Sequence, residues 1–377
     1  MVTLKIGFVL DDTLDSTDGV QQYILTLGAW LKAQGHDVHY LVGRTKRTDI
    51  ENTHSFGKNV RVRFNRNRLS IPLPASPRKI YNFLVKEQFD VLHVQMPYSP
   101  MLAARIISLA PITTAIIGTF HVAPFSKFES AASRLLGFWL LPNAQKFDQV
   151  ISVSQTAADF ARKTFKLKSS IVPNPVDVDL YRVPPHVPKK PMISFVGRLV
   201  ARKGAMHLVR ALARMREEYP HMDFAARICG QGKDYKKLQR QIRKHNLQDY
   251  VWLEGYVSEE QKREYLASST IAVFPATGGE SFGIVLIEAM AAGAGVVLGG
   301  DNPGYRNVLG GVKECLIDPT DHRAFAKTMA QIITEPDHAK EIHAAQQAII
   351  EQYDIKTVGP QILEAYNRAV TKRQQLL

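Results

Sequence analysis

Two glutamates with seven residues between them, Glu280 and Glu288, bracket the most chemically suggestive stretch of the chain. Gly278 and Gly279 precede the first, and two glycines there let a backbone approach a ligand closely. From Ile284 to Ala292 the residues are mostly good helix formers, and Gly293 is placed as a stop. The pattern is a loop running into a helix whose first turn offers the N–H groups of Phe282, Gly283, Ile284 and Val285. Such a turn attracts anions, by about 0.3–1 kcal/mol per charge when exposed and about 2 kcal/mol when partly buried. A carboxylate beside it would repel a bare phosphate. It suits a ligand that carries hydroxyls next to its phosphates, as the sugar and ribose ends of a nucleotide-sugar do. A buried helix with a Gly-rich entry and two incidental acids is the plainer reading, but it leaves a Glu inside an apolar, small-residue helix unexplained.

A second constellation lies upstream. Arg198, Arg202 and Lys203 put three cations into six residues, in the loop Gly197–Gly204 that follows an apolar run. Charge-assisted hydrogen bonds contribute about 1.5–3 kcal/mol each, so losing two of them weakens binding of a diphosphate a hundredfold or more. Loop charges facing water are the alternative. The third candidate is His121, at the carboxyl end of the β-branched run Ile112–Thr119. Ligands of open α/β sheets bind outside the carboxyl ends of strands, although a lone His after a strand is more often structural.

These residues need an alternating scaffold, and the sequence supplies one. Lys5–Leu10 and Val38–Val42 read as strands, and Val20, Ile24, Leu27 and Leu31 mark a helix between them that Gly35 ends. The intervening loop has no G-x-G-x-x-G, so a dinucleotide fingerprint is absent, though Gly19 at the helix start has room to approach a phosphate. Val60–Phe64 is a further candidate strand, followed by a Pro-punctuated loop over Leu69–Pro77 and a helix over Arg78–Glu87. Asp90–Val94, Ile112–Thr119 and Val150–Val153 continue the strands, a long aromatic stretch spans Ser126–Gln145, and Ser154 caps a helix. The Pro-rich, basic run near Val183–Pro191 reads as a linker. The alternation then restarts with strands at Met192–Val196, Phe224–Cys229, Val251–Glu254, Ile271–Phe274 and Val296–Leu298. Ser258 and Gln261 form a capping-box pattern. Helices are predicted near Arg323–Thr334, Ala339–Gln352 and Val358–Arg373.

Composition narrows the classes. A chain of 377 residues with 45% hydrophobic content supports two domains of ordinary size. Cys229 and Cys315 have neither metal spacing nor a disulfide framework, so no metal site is expected and a reducing cytoplasm is the expected compartment. The opening residues alternate like a strand, and no secretory leader is expected. No run of about 18 apolar residues offers a membrane span. Formal net charge is +13, and residues 52–86 hold eight Lys or Arg and no acid. That invites an anionic membrane or nucleic acid, or is a solvated basic face. The helix Arg78–Glu87 mixes Arg78, Lys79 and Lys86 with Tyr81 and Phe83, compatible with a lipid interface and with packing on a sheet. A non-enzymatic protein that binds anionic lipid or nucleic acid would also fit the charge, but not the Glu280 loop.

Taken together, GRLVARKG and GGESFGIVLIEAMAAG resemble the retaining glycosyltransferases of family 4, which carry two glutamates at this spacing. The resemblance covers essentially the whole chain and is strongest to the bacterial phosphatidylinositol mannosyltransferases. Gly19-Val20-Gln21, Asp90-Val91-Leu92-His93, Thr119-Phe120-His121, Pro74-Ala75-Ser76 and Arg78-Lys79 share in it. The resemblance implies an α/β chain of GT-B fold, two Rossmann-like doubly wound domains facing across a cleft, with a C-terminal helix crossing back to the first. The expected division is 1–174 for the acceptor and membrane side, 175–191 as linker, 192–352 for the donor and 353–377 for the returning helix. Arg198 and Lys203 would bind the donor diphosphate, with Gly19 closing on it. Glu280 would hold sugar hydroxyls, backbone groups of Phe282, Gly283, Ile284 and Val285 the sugar and phosphate, and Glu288 the ribose. His121 would sit beside the transferred sugar, giving a catalytic set of His121, Glu280, Arg198 and Lys203. Asp12, Tyr98, Arg66, Arg68, Arg78 and Lys79 would serve the acceptor and membrane.

The implied donor is GDP-mannose, with UDP-glucose as alternative, and the implied acceptor is phosphatidylinositol, with diacylglycerol as alternative. No cofactor would be tightly bound, Mg2+ could accompany the diphosphate, and no nucleic-acid partner is expected. The basic patch would hold the protein peripherally on the inner face of the plasma membrane. The departures from the mannosyltransferase pattern fall on the acceptor side. Asp12 replaces a tyrosine, Asp18 the first of two glycines, Gln95 and Met96 a His-Glu pair, and Tyr98 an asparagine. Tyr81 and Asn82 stand where further basic residues are usual.

Overall fold

The computed structural model describes residues 3–16, 18–64, 67–72, 76–97, 99–121, 143–184 and 188–376, with backbone alone for 60–72. They form two compact units, Met1–Pro175 with Ile355–Leu377, and Val176–Asp354. Tyr98 and Arg66, the side chain of Arg68, and nearly all of the aromatic stretch Ser126–Gln145 lie outside the described residues.

The first unit is built on a parallel sheet of order β3-β2-β1-β6-β7-β8-β9. Its strands are β1 Lys5–Leu10, β2 Asp37–Val42, β3 Thr53–Ser55, β6 Val91–Gln95, β7 Ala115–Phe120, β8 Gln149–Ser152 and β9 Ser170–Ile171. Central strands such as β1, β6 and β7 are buried along nearly their whole length. A parallel sheet covered on both faces requires this, and it is why these segments read as continuous apolar runs. The helix Gly19–Ala33 returns the chain from β1 to β2 and buries Tyr23, Ile24, Leu27 and Leu31. Ile6 pairs with Val38 of β2 and with Val91 of β6, so the strand order reverses at β1. The carboxyl ends of β1 and β6 therefore flank the switch point, where such sheets bind ligands.

Two local expectations change. Asn59–Phe64 (β4) is not a member of the main sheet. It pairs antiparallel with Asn67–Pro72 (β5), from Asn59↔Pro72 to Phe64↔Asn67, where the sequence reading places a loop. Pro72 ends the strand, a position where a missing N–H is tolerated, so the prolines do not forbid the hairpin. The C-terminal helix starts earlier than its proline suggests: it spans Ile355–Gln374 with Pro360 inside. Burial of Ile355, Val358, Ile362, Tyr366 and Ala369 outweighs the one lost backbone bond. This helix belongs to the first unit, where Arg373 Nη2 lies 2.6 Å from Asp148 Oδ2.

The second unit has a parallel sheet of order β12-β11-β10-β13-β14-β15. The strands are β10 Met192–Val196, β11 Ala225–Cys229, β12 Val251–Gly255, β13 Ile271–Phe274, β14 Val296–Gly300 and β15 Leu316–Ile317. The capping box forms as its sequence predicts, Ser258 and Gln261 satisfying each other's backbone N–H at the start of helix Glu259–Ala267. The segment 175–191 is not simply a linker. It contains the helix Val178–Tyr181, capped by Asp177, with Val178 and Tyr181 buried in the second unit.

Candidate active site

Strands β10 and β13 are parallel neighbours, Ile193 opposite Ile271, so the loops leaving their carboxyl ends emerge side by side. One carries Arg198, Arg202 and Lys203; the other carries Gly278, Gly279 and Glu280. Their backbones are tied, Thr277 N–H donating to the Arg202 carbonyl at 2.9 Å. The first loop tightens into a short turn Ala201–Lys203 and then Gly204, whose φ is +79°. A Cβ on Gly204 would lie 1.8 Å from the Pro275 carbonyl oxygen. Only glycine permits both the left-handed backbone and this approach. Gly204→Ala should therefore cost about 1–3 kcal/mol from the backbone alone, and more from the clash. Urea unfolding should show that loss, and calorimetry should show weakened nucleotide binding; an unchanged unfolding midpoint would contradict it.

The two loops meet in an ion cluster. Glu280 Oε1 lies 2.5 Å from Arg202 Nη1 and 2.9 Å from Lys203 Nζ. All three side chains are largely buried. The other oxygen, Oε2, takes no hydrogen bond among the described residues. Burial pushes the Glu280 carboxyl up, but Lys203 and Arg202 prevail and hold it below the usual range. Lys203 is lowered too, which for a cation disfavours the charged form: burial, helped by the charges of Arg202 and Arg198, outweighs the pull of Glu280. The two downward shifts have one physical meaning. Two buried cations, Arg202 and Lys203, share one carboxylate, leaving one net positive charge in the loop pair, and the charge of Arg198 is felt at Lys203. A nucleotide-sugar diphosphate carries two negative charges.

Gly278 and Gly279 adopt φ of +150° and +71°, as a backbone curling back on itself needs. The helix that follows, Ile284–Ala291, starts after Gly283, at φ +112°, so its free N–H groups begin one to two residues later than the sequence suggests. Phe282 turns inward, its ring 5.5 Å from that of Tyr353. Glu288 is buried at 5% exposure. Its Oε1 accepts from Tyr181 Oη at 2.8 Å and from Lys262 Nζ at 3.0 Å. No hydrogen bond to its Oε2 is formed among the described residues.

In the first unit His121 closes β7. Its Nε2 donates to Gln95 Oε1 at 2.7 Å, and Gln95 Nε2 donates to the His93 carbonyl at 3.2 Å. His93 is enclosed between Tyr366 Oη, 2.7 Å from Nδ1, and Thr119 Oγ1, 2.6 Å from Nε2. Burial holds both imidazoles down at about 3. His121 is therefore neutral near pH 7, a fixed polar group rather than a titrating base. Gly19 opens its helix, and Asp12 is buried with its Oδ1 on the Thr13 N–H at 2.7 Å. Arg78 and Lys79 are exposed on the helix Pro77–Glu87, whose Ile80 and Leu84 are buried. Sequence reasoning leaves out Tyr181, Lys262 and Gln95 as site residues, and it counts Arg202 in the cationic loop without giving it a role of its own. Arg202 stands in the basic run and Gln95 at a strand's carboxyl end, so both had a signal. Tyr181 and Lys262 had none, since each meets Glu288 only through the fold.

The chain has counterparts among known proteins. Residues 179–348 match the family model "Glycosyl transferases group 1", and residues 17–180 match "Glycosyltransferase Family 4". The chain is 31% identical over 375 residues to the phosphatidyl-myo-inositol mannosyltransferase of Mycobacterium tuberculosis, covering 96% of each. It belongs to glycosyltransferase family 4. A relative of the same name in Propionibacterium freudenreichii is 29% identical, covering 97% of this chain and 95% of that one. Among solved structures, Anabaena HepE in complex with UDP-glucose matches with a TM-score of 0.76 at 19% identity, covering 97% and 99% of the two chains. Sucrose-phosphate synthase from Thermosynechococcus elongatus matches at 0.72 and 19%, covering 98% and 100%. The fold is GT-B, and the enzyme is a nucleotide-sugar-dependent hexosyltransferase, with retaining chemistry consistent with that fold.

Proposed function

We propose that this family 4 enzyme transfers mannose from GDP-mannose to phosphatidylinositol at a membrane surface, with retention at the anomeric carbon. The observation that carries the reading is the likeness to phosphatidyl-myo-inositol mannosyltransferases along nearly the whole chain. UDP-glucose is the alternative donor, being the sugar nucleotide with which a fold neighbour was solved, and diacylglycerol is the matching acceptor.

In this reading Arg198, Arg202 and Lys203 hold the diphosphate and neutralise the charge that develops on it as the sugar leaves. Electrostatic stabilisation of that kind is often the largest single contribution to catalysis. The amides at the start of helix Ile284–Ala291 add to it. Glu280 gives Oε1 to the cations and Oε2 to the sugar hydroxyls; Glu288 likewise gives Oε1 to Tyr181 and Lys262 and Oε2 to the ribose. Attack from the leaving-group face needs no carboxylate nucleophile, so Glu280 positions rather than bonds. His121 is assigned to the transferred sugar, Gly19 to the donor diphosphate and Asp12 to the acceptor. Among the described residues no group of three His, Cys, Asp or Glu side chains stands together to hold a metal, so a Mg2+ ion would arrive on the diphosphate.

No described helix is long and apolar enough to cross a membrane. The exposed side of Pro77–Glu87 offers Arg78, Lys79 and Lys86 beside Tyr81 and Val85, which are 51% and 45% exposed. Cations near an anionic leaflet contribute about 1 kcal/mol each, enough for peripheral docking on the inner membrane face. The test is product identity. Labelled GDP-mannose or UDP-glucose is incubated with vesicles containing phosphatidylinositol or diacylglycerol, and the labelled lipid is identified. An α-mannosyl phosphatidylinositol is expected. A glucosyl diacylglycerol with no mannolipid would overturn the reading.

A further inference from the structure

The second unit has a groove that the donor reading leaves unused. Helix Ala205–Glu218 packs against helices Tyr235–Lys244 and His322–Thr334, and a groove of about 350 Å3 opens among them. Arg210, Arg214, Lys244, His245 and His322 line it, with Glu217 as its single acid. Glu217 is already engaged, accepting from Arg214 at 2.8 Å. Arg210 and Lys244 form no ion pair among the described residues. Behind them the rings of His207 and His322 stack with centroids 5.3 Å apart, and their Nδ1 and Nε2 atoms are 3.0 Å apart. One proton at most fits between those nitrogens. Burial lowers both imidazoles, Arg210 lowers each further and Arg214 lowers His322, while Asp318 raises both and Asp321 raises His322. None of Arg198, Arg202, Lys203 or Glu280 lines this groove.

We propose that the groove is a second anion site, which takes the phosphate group of a small soluble phosphorylated ligand. Its volume falls at the lower end of the range for small-ligand sites. Its concavity suits a compact ion better than a flat bilayer. Cations converging from separate helices give a phosphate several charge-assisted donors at once. The bound anion would replace the missing counter-charge and make protonation of the His207–His322 pair easier. The inference stands apart from the identity of donor and acceptor.

The probe is inorganic pyrophosphate, titrated into the full-length protein by calorimetry and by NMR of carbon-labelled histidines. Arg210 and Lys244 are exposed, so Arg210→Glu with Lys244→Glu leaves the packing intact. Pyrophosphate should shift the His322 and His207 resonances and raise the pH at which they titrate. The double variant should weaken this binding at least about tenfold, the loss expected from one charge-assisted hydrogen bond or more. Lys203→Met, which alters the donor loop alone, should leave the groove's binding unchanged. The proposal fails if the histidine shifts and affinity persist in the double variant, or if all pyrophosphate binding disappears in Lys203→Met. It also fails if only vesicles containing phosphatidic acid, and no soluble pyrophosphate, engage the groove.

Discussion

Replacing Glu280 by alanine is expected to destabilise the enzyme by about 3–5 kcal/mol and to abolish measurable transfer, the magnitude that follows from stripping the partner of a buried charge. Arg202 is only 8% exposed, and Lys203 faces the same carboxylate oxygen from the other side. Without Glu280 the side chains of Arg202 and Lys203 would lose the carboxylate they share until a diphosphate arrived. The companion variant separates stability from function. Lys203→Met removes one cation while leaving Glu280 paired with Arg202, so folding should suffer less, yet transfer should fall by about ten- to a hundredfold because a charge-assisted contact to the leaving diphosphate is gone. In the double variant, Lys203→Met with Glu280→Ala, part of the lost stability should return, since fewer unpaired cations are buried, while activity should not. Urea unfolding and steady-state kinetics on the same preparations read the two effects. Wild-type kinetics in a folded Lys203→Met protein, or equal stability of Glu280→Ala and wild type, would show that the cluster does not act as a charge-matched site.

The second large effect is acid sensitivity. His93 and His121 titrate at about 3 in the folded chain against 6.5 for a free imidazole, because burial penalises the cation. A depressed folded-state value means that the unfolded chain takes up protons first. The stability these neutral imidazoles contribute is complete above about 6.5 and is lost as pH falls toward about 3. Each site costs about 1.4 kcal/mol per pH unit, so the pair costs about 2.7. Asp11 works in the opposite sense. Burial raises its carboxyl to about 6 from 3.8, against hydrogen bonds that include the Ala103 N–H. Its contribution is complete below about 3.8 and is lost as pH rises through about 6. Between pH 6 and 4 it should offset one of the two histidines, leaving a slope of about 1.4 kcal/mol per unit from these three groups. Asp11→Asn, which cannot ionise, should roughly double that slope. Denaturant midpoints measured from pH 7.5 to 4 give the answer; a slope that is flat, or unaffected by Asp11→Asn, would mean the imidazoles are not buried in neutral form.

Much of the site is present in one dimension. The loop–helix of Glu280, the run of Arg198 to Lys203 and the strand ending in His121 each announce themselves by composition and neighbours. Strand and helix alternation follows from local periodicity, since a parallel sheet covered on both faces needs apolar runs and each crossover helix needs an apolar stripe. Elements whose local signals conflict are harder to read. The β4–β5 hairpin is obscured by prolines, and the start of the last helix is obscured by Pro360, because both depend on backbone pairing or burial that no short window contains.

What the residue order determined by itself is the inventory: an anion-attracting helix start, a cationic loop and two acids held at fixed spacing. Tertiary structure decided the partnerships. Arg202 reaches Glu280 across 78 positions, Tyr181 reaches Glu288 across 107, and His93 reaches Tyr366 across 273. Those pairings follow from which strands lie side by side. β10 beside β13 merges two loops into one charge cluster, and the final helix, lying against the first sheet, encloses a histidine. Strand order is set by the global burial of apolar faces, so no local pattern could specify which charge would meet which.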